Sequence, residues 1–186
     1  MASTALTEPA HSMLKTNLKV KLKNISWALL PLLVLLVSLL FFKYVLLYAF
    51  VPSHSMQPYI PCGSLGFANR LAFVADNPEH GDVVVLNKNG ILLVKRVIGV
   101  PGDTVELASN SVYVNGQLLT EDYLYEMATY TDQAFIVPID CYFVLGDNRN
   151  NSEDSRLWDQ PFISKSDIVG QWMCGFQFVH SESTEE

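Results

Sequence analysis

From Ile25 to Phe42 every residue is apolar except Ser26 and Ser38, and no other long apolar segment occurs in this 186-residue chain. A run like this has few ways to fold, because a helix that is apolar all round must be surrounded by lipid or buried in protein. At about 1.5 Å per residue it just spans a bilayer core. Pro31 stands near the start, where the first turns of a helix tolerate it best. Trp27 at one end, with Tyr44 and Tyr48 at the other, fits the aromatic belts of a membrane interface. A buried core helix would show a polar face, and this segment shows almost none. A cleaved signal peptide would be shorter and end in small residues, whereas Phe41, Phe42 and Lys43 close this one. The reading is a transmembrane anchor over residues 25–43.

Upstream, Lys15, Lys19, Lys21 and Lys23 stand against Glu8 alone. The positive-inside rule then makes residues 1–24 a cytoplasmic tail, mostly disordered, and residues 44–186 an extracytoplasmic domain. Lys43 fits a side chain that snorkels to the outer interface. With 49% hydrophobic and 17% charged residues, the chain is too apolar for disorder and has room for one sizeable core plus a tether. After Lys43 there are eighteen acidic residues to seven basic ones, which argues against nucleic acid as a partner. Cys62, Cys141 and Cys174 are odd in number and widely spaced, so they form neither a disulfide framework nor a CxxC motif. His11, His54, His80 and His180 show no ligand spacing, and no metal is implied.

Beyond the anchor the signals are those of short strands. Tyr44 to Val51 is rich in aromatic and branched residues and reads as a strand or interfacial segment. Gly81-Asp82 introduces Val83 to Leu86, Asn89-Gly90 is a strong hairpin turn, and Ile91 to Ile98 follows as its partner. A second hairpin joins Ser111–Val114 to Gln117–Leu119 through Asn115-Gly116, and Cys141–Leu145 is a further strand. No long amphipathic helical pattern or repeat appears. The expected fold is therefore mainly β: one N-terminal transmembrane helix, then an antiparallel β-sheet forming a partly closed barrel.

Three stretches carry chemistry. In Val51-Pro52-Ser53-His54-Ser55-Met56-Gln57-Pro58, two prolines bracket two serines and fix the backbone around them, as an attacking hydroxyl requires, which makes Ser55 a candidate nucleophile. An ordinary Ser/Pro loop is the alternative. Lys95 lies within Leu92-Leu93-Val94-Lys95-Arg96-Val97-Ile98 and, in a strand, shares a side with Leu93 and Val97. Apolar neighbours disfavour the ammonium form and lower the pKa toward that of a general base; an edge lysine that blunts aggregation is the alternative. Gly146 to Arg156 is the densest polar stretch, and it lacks the central glycine and closing glutamate of an EF-hand.

Four segments in order resemble the bacterial type I signal peptidases: Ser53 to Pro58, Gly81 to Val85, Lys95 to Asp103, and Gly146 to Arg156. The match runs from Val51 to about Gly170, and an anchor of this orientation precedes it in that family too. The resemblance implies that Ser55 is the nucleophile and Lys95 its general base, a Ser-Lys dyad that needs no cofactor. It implies an oxyanion hole formed by the N–H of Ser55 with the hydroxyl of Ser53. Ser152 matches the serine that orients the lysine, Asp154 and Arg156 a pair that supports the site, and Arg96 with Asp147 a second pair. Val51, Met56, Ile60 and Val94 match positions lining the signal-peptide pockets. The implied activity is removal of signal peptides from exported preproteins at the outer face of the plasma membrane, with the preprotein and the lipid bilayer as partners.

Two positions depart from the family pattern. Tyr59 stands where threonine is usual, expected to alter the rim of the substrate groove, and Asp159-Gln160 follows Trp158 where glycine is common, expected to change only a turn. His54 invites a Ser-His mechanism, but in an extended segment it points away from Ser55. Two rival functions stand beside this one, a self-cleaving repressor-like protease with the same pair and a catalytically silent β domain that binds exported chains.

Overall fold

The structure is a computed structural model that describes residues 27, 29–124 and 126–177, and it divides into one unit up to Lys43 and another from Tyr44 onward. Residues 29–44 form helix α1, all but its last residue in the first unit, and its large apolar side chains are mostly exposed. Among the described residues no helix is long and apolar enough to cross a membrane. The described run 29–44 rises about 24 Å, and Trp27 is helical as well. The whole tail expected at 1–24, and residues 25, 26 and 28 of the expected anchor, lie outside the described residues.

The second unit is antiparallel β throughout its sheets. One sheet has seven strands in the order β1 (Leu46–Val51), β2 (Ser64–Asn69), β11 (Ile168–Gln177), β3 (Val83–Lys88), β4 (Ile91–Gly99), β9 (Cys141–Leu145) and β10 (Ile163–Ser164). The other has four, in the order β7 (Gln117–Leu118), β6 (Ser111–Val114), β5 (Thr104–Ala108) and β8 (Gln133–Ile136). Among the described residues the expected partly closed barrel does not form. Each sheet is open, ending on a strand with one hydrogen-bonded neighbour, β1 and β10 in the first and β7 and β8 in the second. The ten-residue β11 divides its pairing between β2 and β3 with register shifts at Trp172/Cys174 and Ile168/Gly170, so the sheet is continuous through its middle and stops at the edges.

The two hairpins form where the turn residues demand them. Asn89 and Gly90 both have positive φ, at 53° and 87°, as a two-residue primed turn between twisted strands requires, and Asn115 and Gly116 repeat this at 54° and 75°. Three apolar clusters fill the interior. One gathers Val51, Met56, Ile60, Val83, Val85, Val94 and Trp172 at the β1–β2 end. A second joins the sheets through Ile98, Val105, Leu107, Val112, Phe143 and Leu145. The third holds Val84, Leu86, Val97, Tyr142, Val144 and Ile163.

Register within β4 positions the site. From Ile91 to Arg96 β4 pairs with β3, Lys95 opposite Val84 and Arg96 opposite Val83. Its ladder with β9 runs only from Arg96 to Gly99, so Ile91 to Lys95 are paired on one side alone. Lys95 is therefore the last residue before the strand becomes central.

Candidate active site

The turn after β1 carries the first half of the site. Val51, Met56 and Ile60 are buried in the β1–β2 cluster, which pins the turn from both ends, and the Gly63 N–H returns to the Val51 carbonyl at 2.8 Å. Ser55 is buried while Ser53 and His54 beside it are exposed. The two serine hydroxyls are 3.2 Å apart. His54 thus lies outside the buried side of the turn, although the segment is a bend and turn rather than the extended stretch expected.

The second half comes from β4 and from the segment that follows β9. Lys95 is 3% exposed, and its Nζ donates to Ser152 Oγ at 3.1 Å. Burial pushes the Lys95 ammonium down to about 8, against the opposing pull of Asp154; Arg156 lowers it further, and Glu153 and Asp147 raise it. Lys95 lies within β4, and its side-chain partner is a neutral hydroxyl.

The segment Gly146–Arg156 closes against the serine turn. The Asn148 N–H donates to the Ser55 carbonyl at 3.0 Å. Gly146 permits this approach, because a Cβ there would overlap Ser152 Oγ and stand 2.5 Å from the Ser55 carbonyl oxygen. Ser55 and Ser152 thereby meet around one glycine, and Lys95 joins them through its hydrogen bond to Ser152. The Ser55 hydroxyl contacts Ser53, and the Lys95 ammonium contacts Ser152.

Two buried ion pairs brace these elements. Asp154 accepts from Arg156 Nε at 2.7 Å and Nη2 at 2.8 Å, and its Oδ2 also takes the Gly146 N–H at 3.0 Å. Arg96 donates to Asp147 through Nε at 2.8 Å and Nη2 at 2.6 Å, a bidentate pair, and its Nη1 donates to the Gly81 carbonyl at 2.8 Å. Ser155 continues the bracing by accepting the Val144 N–H at 3.0 Å, tying the segment back to β9.

The positions matched to substrate pockets are brought together, since Val51, Met56, Ile60 and Val94 share one cluster. Tyr59, expected at a groove rim, places its ring 5.1 Å from the Arg96 guanidinium. Gln160, expected only to alter a turn, accepts the Lys88 ammonium on its carbonyl at 2.8 Å. Beyond Lys95 a cleft of about 460 Å³ is lined by Ile91, Leu93, Glu153, Leu157 and Trp158 among others. Sequence reasoning missed Glu121, Tyr123 and Tyr130, whose hydrogen bonds and rings surround Arg149 and Arg96. They carry no motif. A buried arginine in search of a carboxylate was the only available signal, and burial of Arg149 was not legible.

Comparison with known proteins identifies the family of the chain. The sequence model of the family described as signal peptidase, peptidase S26 matches residues 24–176. The chain is 36% identical over 130 residues to a probable signal peptidase I-2 of Synechocystis sp., covering 66% of this chain and 59% of that protein. It is 33% identical over 155 residues to signal peptidase I S of Bacillus subtilis, covering 77% and 84%. The matched region is thus about three-fifths of the Synechocystis relative's length and most of the Bacillus one's. A crystal structure of a signal peptidase I from Enterococcus faecalis is similar with a TM-score of 0.46 and 34% identity, covering 52% of this chain and 97% of that one. By its family match and its relatives, the chain belongs to the signal peptidase family, peptidase S26.

Proposed function

We propose that this chain is a membrane-anchored serine endopeptidase that removes signal peptides from exported preproteins, with Ser55 as nucleophile and Lys95 as general base. The observation that carries the reading is a buried lysine, 3% exposed, whose single side-chain hydrogen bond is to a hydroxyl and whose pKa is lowered to about 8. At pH 7 about one such lysine in ten is neutral, against about one in three thousand at the ordinary value.

In this mechanism the Ser55 hydroxyl leaves Ser53 and turns to Lys95 as the substrate binds, a tightening common in serine enzymes. Neutral Lys95 takes the hydroxyl proton, Ser55 Oγ bonds to the scissile carbonyl carbon, and the negative oxygen rests on the Ser55 N–H and the Ser53 hydroxyl. The Lys95 ammonium then gives its proton to the departing amine as the C–N bond breaks. Water, deprotonated by the same lysine, attacks the ester and frees Ser55. Ser152 keeps Lys95 Nζ aimed, and the Asp154–Arg156 and Arg96–Asp147 pairs hold the segments that deliver both groups.

The substrate chain adds as an extended strand along the one-sided stretch Ile91–Lys95 of β4, which offers backbone groups ending at the base. Val51, Met56, Ile60 and Val94 make the pocket floor. Because they are already packed in a core, the pockets are shallow and suit small residues just before the cut and two residues earlier. Residues 25–43 anchor the chain with the N-terminus inside and the domain outside. The outer face of β1, β2 and β11 supports a lipid neighbour, since Tyr48, Phe50 and Phe176 are each about two-thirds exposed there (69%, 61% and 60%).

The test is purified protein on a signal-peptide-bearing preprotein. Cleavage by the parent and none by Ser55→Ala, with the fold unchanged, is the expected result. Equal cleavage by both would end the reading.

A further inference from the structure

Arg149 is 2% exposed, and a guanidinium so buried needs every donor answered. Its Nε donates to the Gly146 carbonyl at 2.9 Å, and its two Nη atoms grip both carboxylate oxygens of Glu121, with Nη1 also donating to the Tyr130 hydroxyl. Glu121 and Tyr130 come from the connection between β7 and β8, which belongs to none of the four motif segments. The same connection grips Asn150, which accepts the Thr129 N–H at 3.0 Å and donates at 3.0 Å to Glu126 and to the Met127 carbonyl. Tyr123 donates to Glu121 at 2.9 Å and lays its ring 4.1 Å from the Arg96 guanidinium.

These contacts lead inward to the reacting groups. The Arg149 carbonyl accepts Arg156 Nη2 at 2.7 Å, Arg156 chelates Asp154, and Asp154 holds the Gly146 N–H. Gly146 in turn packs against Ser152 Oγ and the Ser55 carbonyl. Resting on the function proposed above, we propose that Glu121 is a positioning residue: by closing the Arg149 guanidinium it holds Gly146–Arg156 in the place that sets Ser152 Oγ against Lys95 Nζ. The charged groups that bear on Lys95 are Asp154, Glu153 and Asp147, which favour the ammonium, and Arg156, which opposes it. Those around Arg149 are Glu121, Tyr130 and Tyr123. The hydrogen bonds of Glu121 go to Arg149 and Tyr123, so its influence on Lys95 travels through geometry.

Removing the Glu121 charge leaves a buried cation unpaired, and the segment carrying Ser152 must shift to reach water. Water then reaches Lys95 as well, which restores its affinity for the proton. The experiment measures kcat/KM against pH for the parent, Glu121→Gln, Glu121→Asp and Tyr130→Phe, each normalised to active sites counted with a serine-directed acylating reagent. For Glu121→Gln the expected result is a fall of about 10- to 100-fold at pH 7, with the midpoint of the rising limb displaced upward by about half a unit or more. Glu121→Asp should recover part of both, and Tyr130→Phe should move the midpoint the same way by less. If Glu121→Gln does not fold, those two milder variants decide. A lower rate with an unmoved midpoint would make Glu121 merely structural and overturn the proposal, as would a profile like the parent's. A parent that cleaves nothing, or shows no limb, fails the functional reading itself and is recognised before any variant is examined.

Discussion

Lys95 and Arg96 are consecutive residues of β4, both buried, and their surroundings treat the two charges in opposite ways. Arg96 meets the two oxygens of Asp147 and a carbonyl, stacks near two tyrosine rings, and is held above the ordinary arginine value. Lys95 meets one hydroxyl, and burial lowers it to about 8. The strand alternation that puts the two side chains on opposite faces is what allows this. Burial alone does not make a base: with a bidentate carboxylate a buried cation becomes a brace, and with a neutral partner it becomes a group ready to give up its proton.

The largest expected effect comes from making Lys95 resemble its neighbour. Lys95→Arg keeps a positive charge that cannot be lost at working pH, so preprotein cleavage should fall by about four orders of magnitude or more at every pH. Activity near the parent's would mean that the contrast has no catalytic content. Next in size is Asp147→Asn, which strips Arg96 of its carboxylate. Breaking such a buried pair costs about 3–5 kcal/mol, read as a lower denaturation midpoint in urea, and an unchanged midpoint would show that Arg96 does not depend on its pair.

Lys95→Met gives a smaller effect of opposite sign. The folded pKa of Lys95 lies below the unfolded one, so between about 8 and the ordinary 10.5 the unfolded chain binds more protons and parent stability rises with pH. Below about pH 8 the full burden is present, roughly 3 kcal/mol, offset in the variant by about 1 kcal/mol for the hydrogen bond Ser152 loses. Thermal unfolding should therefore show Lys95→Met more stable than the parent at pH 7, with the advantage fading as the pH approaches 10.5. A variant less stable at pH 7 would mean that Lys95 is as well paired as Arg96.

Much of the second unit was legible because its signals are local. Asn-Gly pairs fix hairpins whatever surrounds them, which is why β3, β4, β6 and β7 lie near their expected bounds. β11 was missed: Gln171, Gly175 and Gln177 break its apolar pattern, and what stabilises it is pairing with β2 and β3, remote in sequence. The barrel was over-read for a related reason, since closure depends on whether edge strands meet and no local pattern reports that. In the site, the residues of the four motifs were legible and those of the β7–β8 connection were not, because the need for Glu121 arises only once Arg149 is buried.

The central claim is that Lys95 works as a neutral amine, and the pH dependence of kcat/KM tests it most directly, measured on the parent with His54→Ala as control. The account expects a rising limb with a midpoint at about 8, carried unchanged by His54→Ala. A limb near the ordinary lysine value of 10.5, or one that vanishes with His54→Ala, would contradict it and move the base away from Lys95.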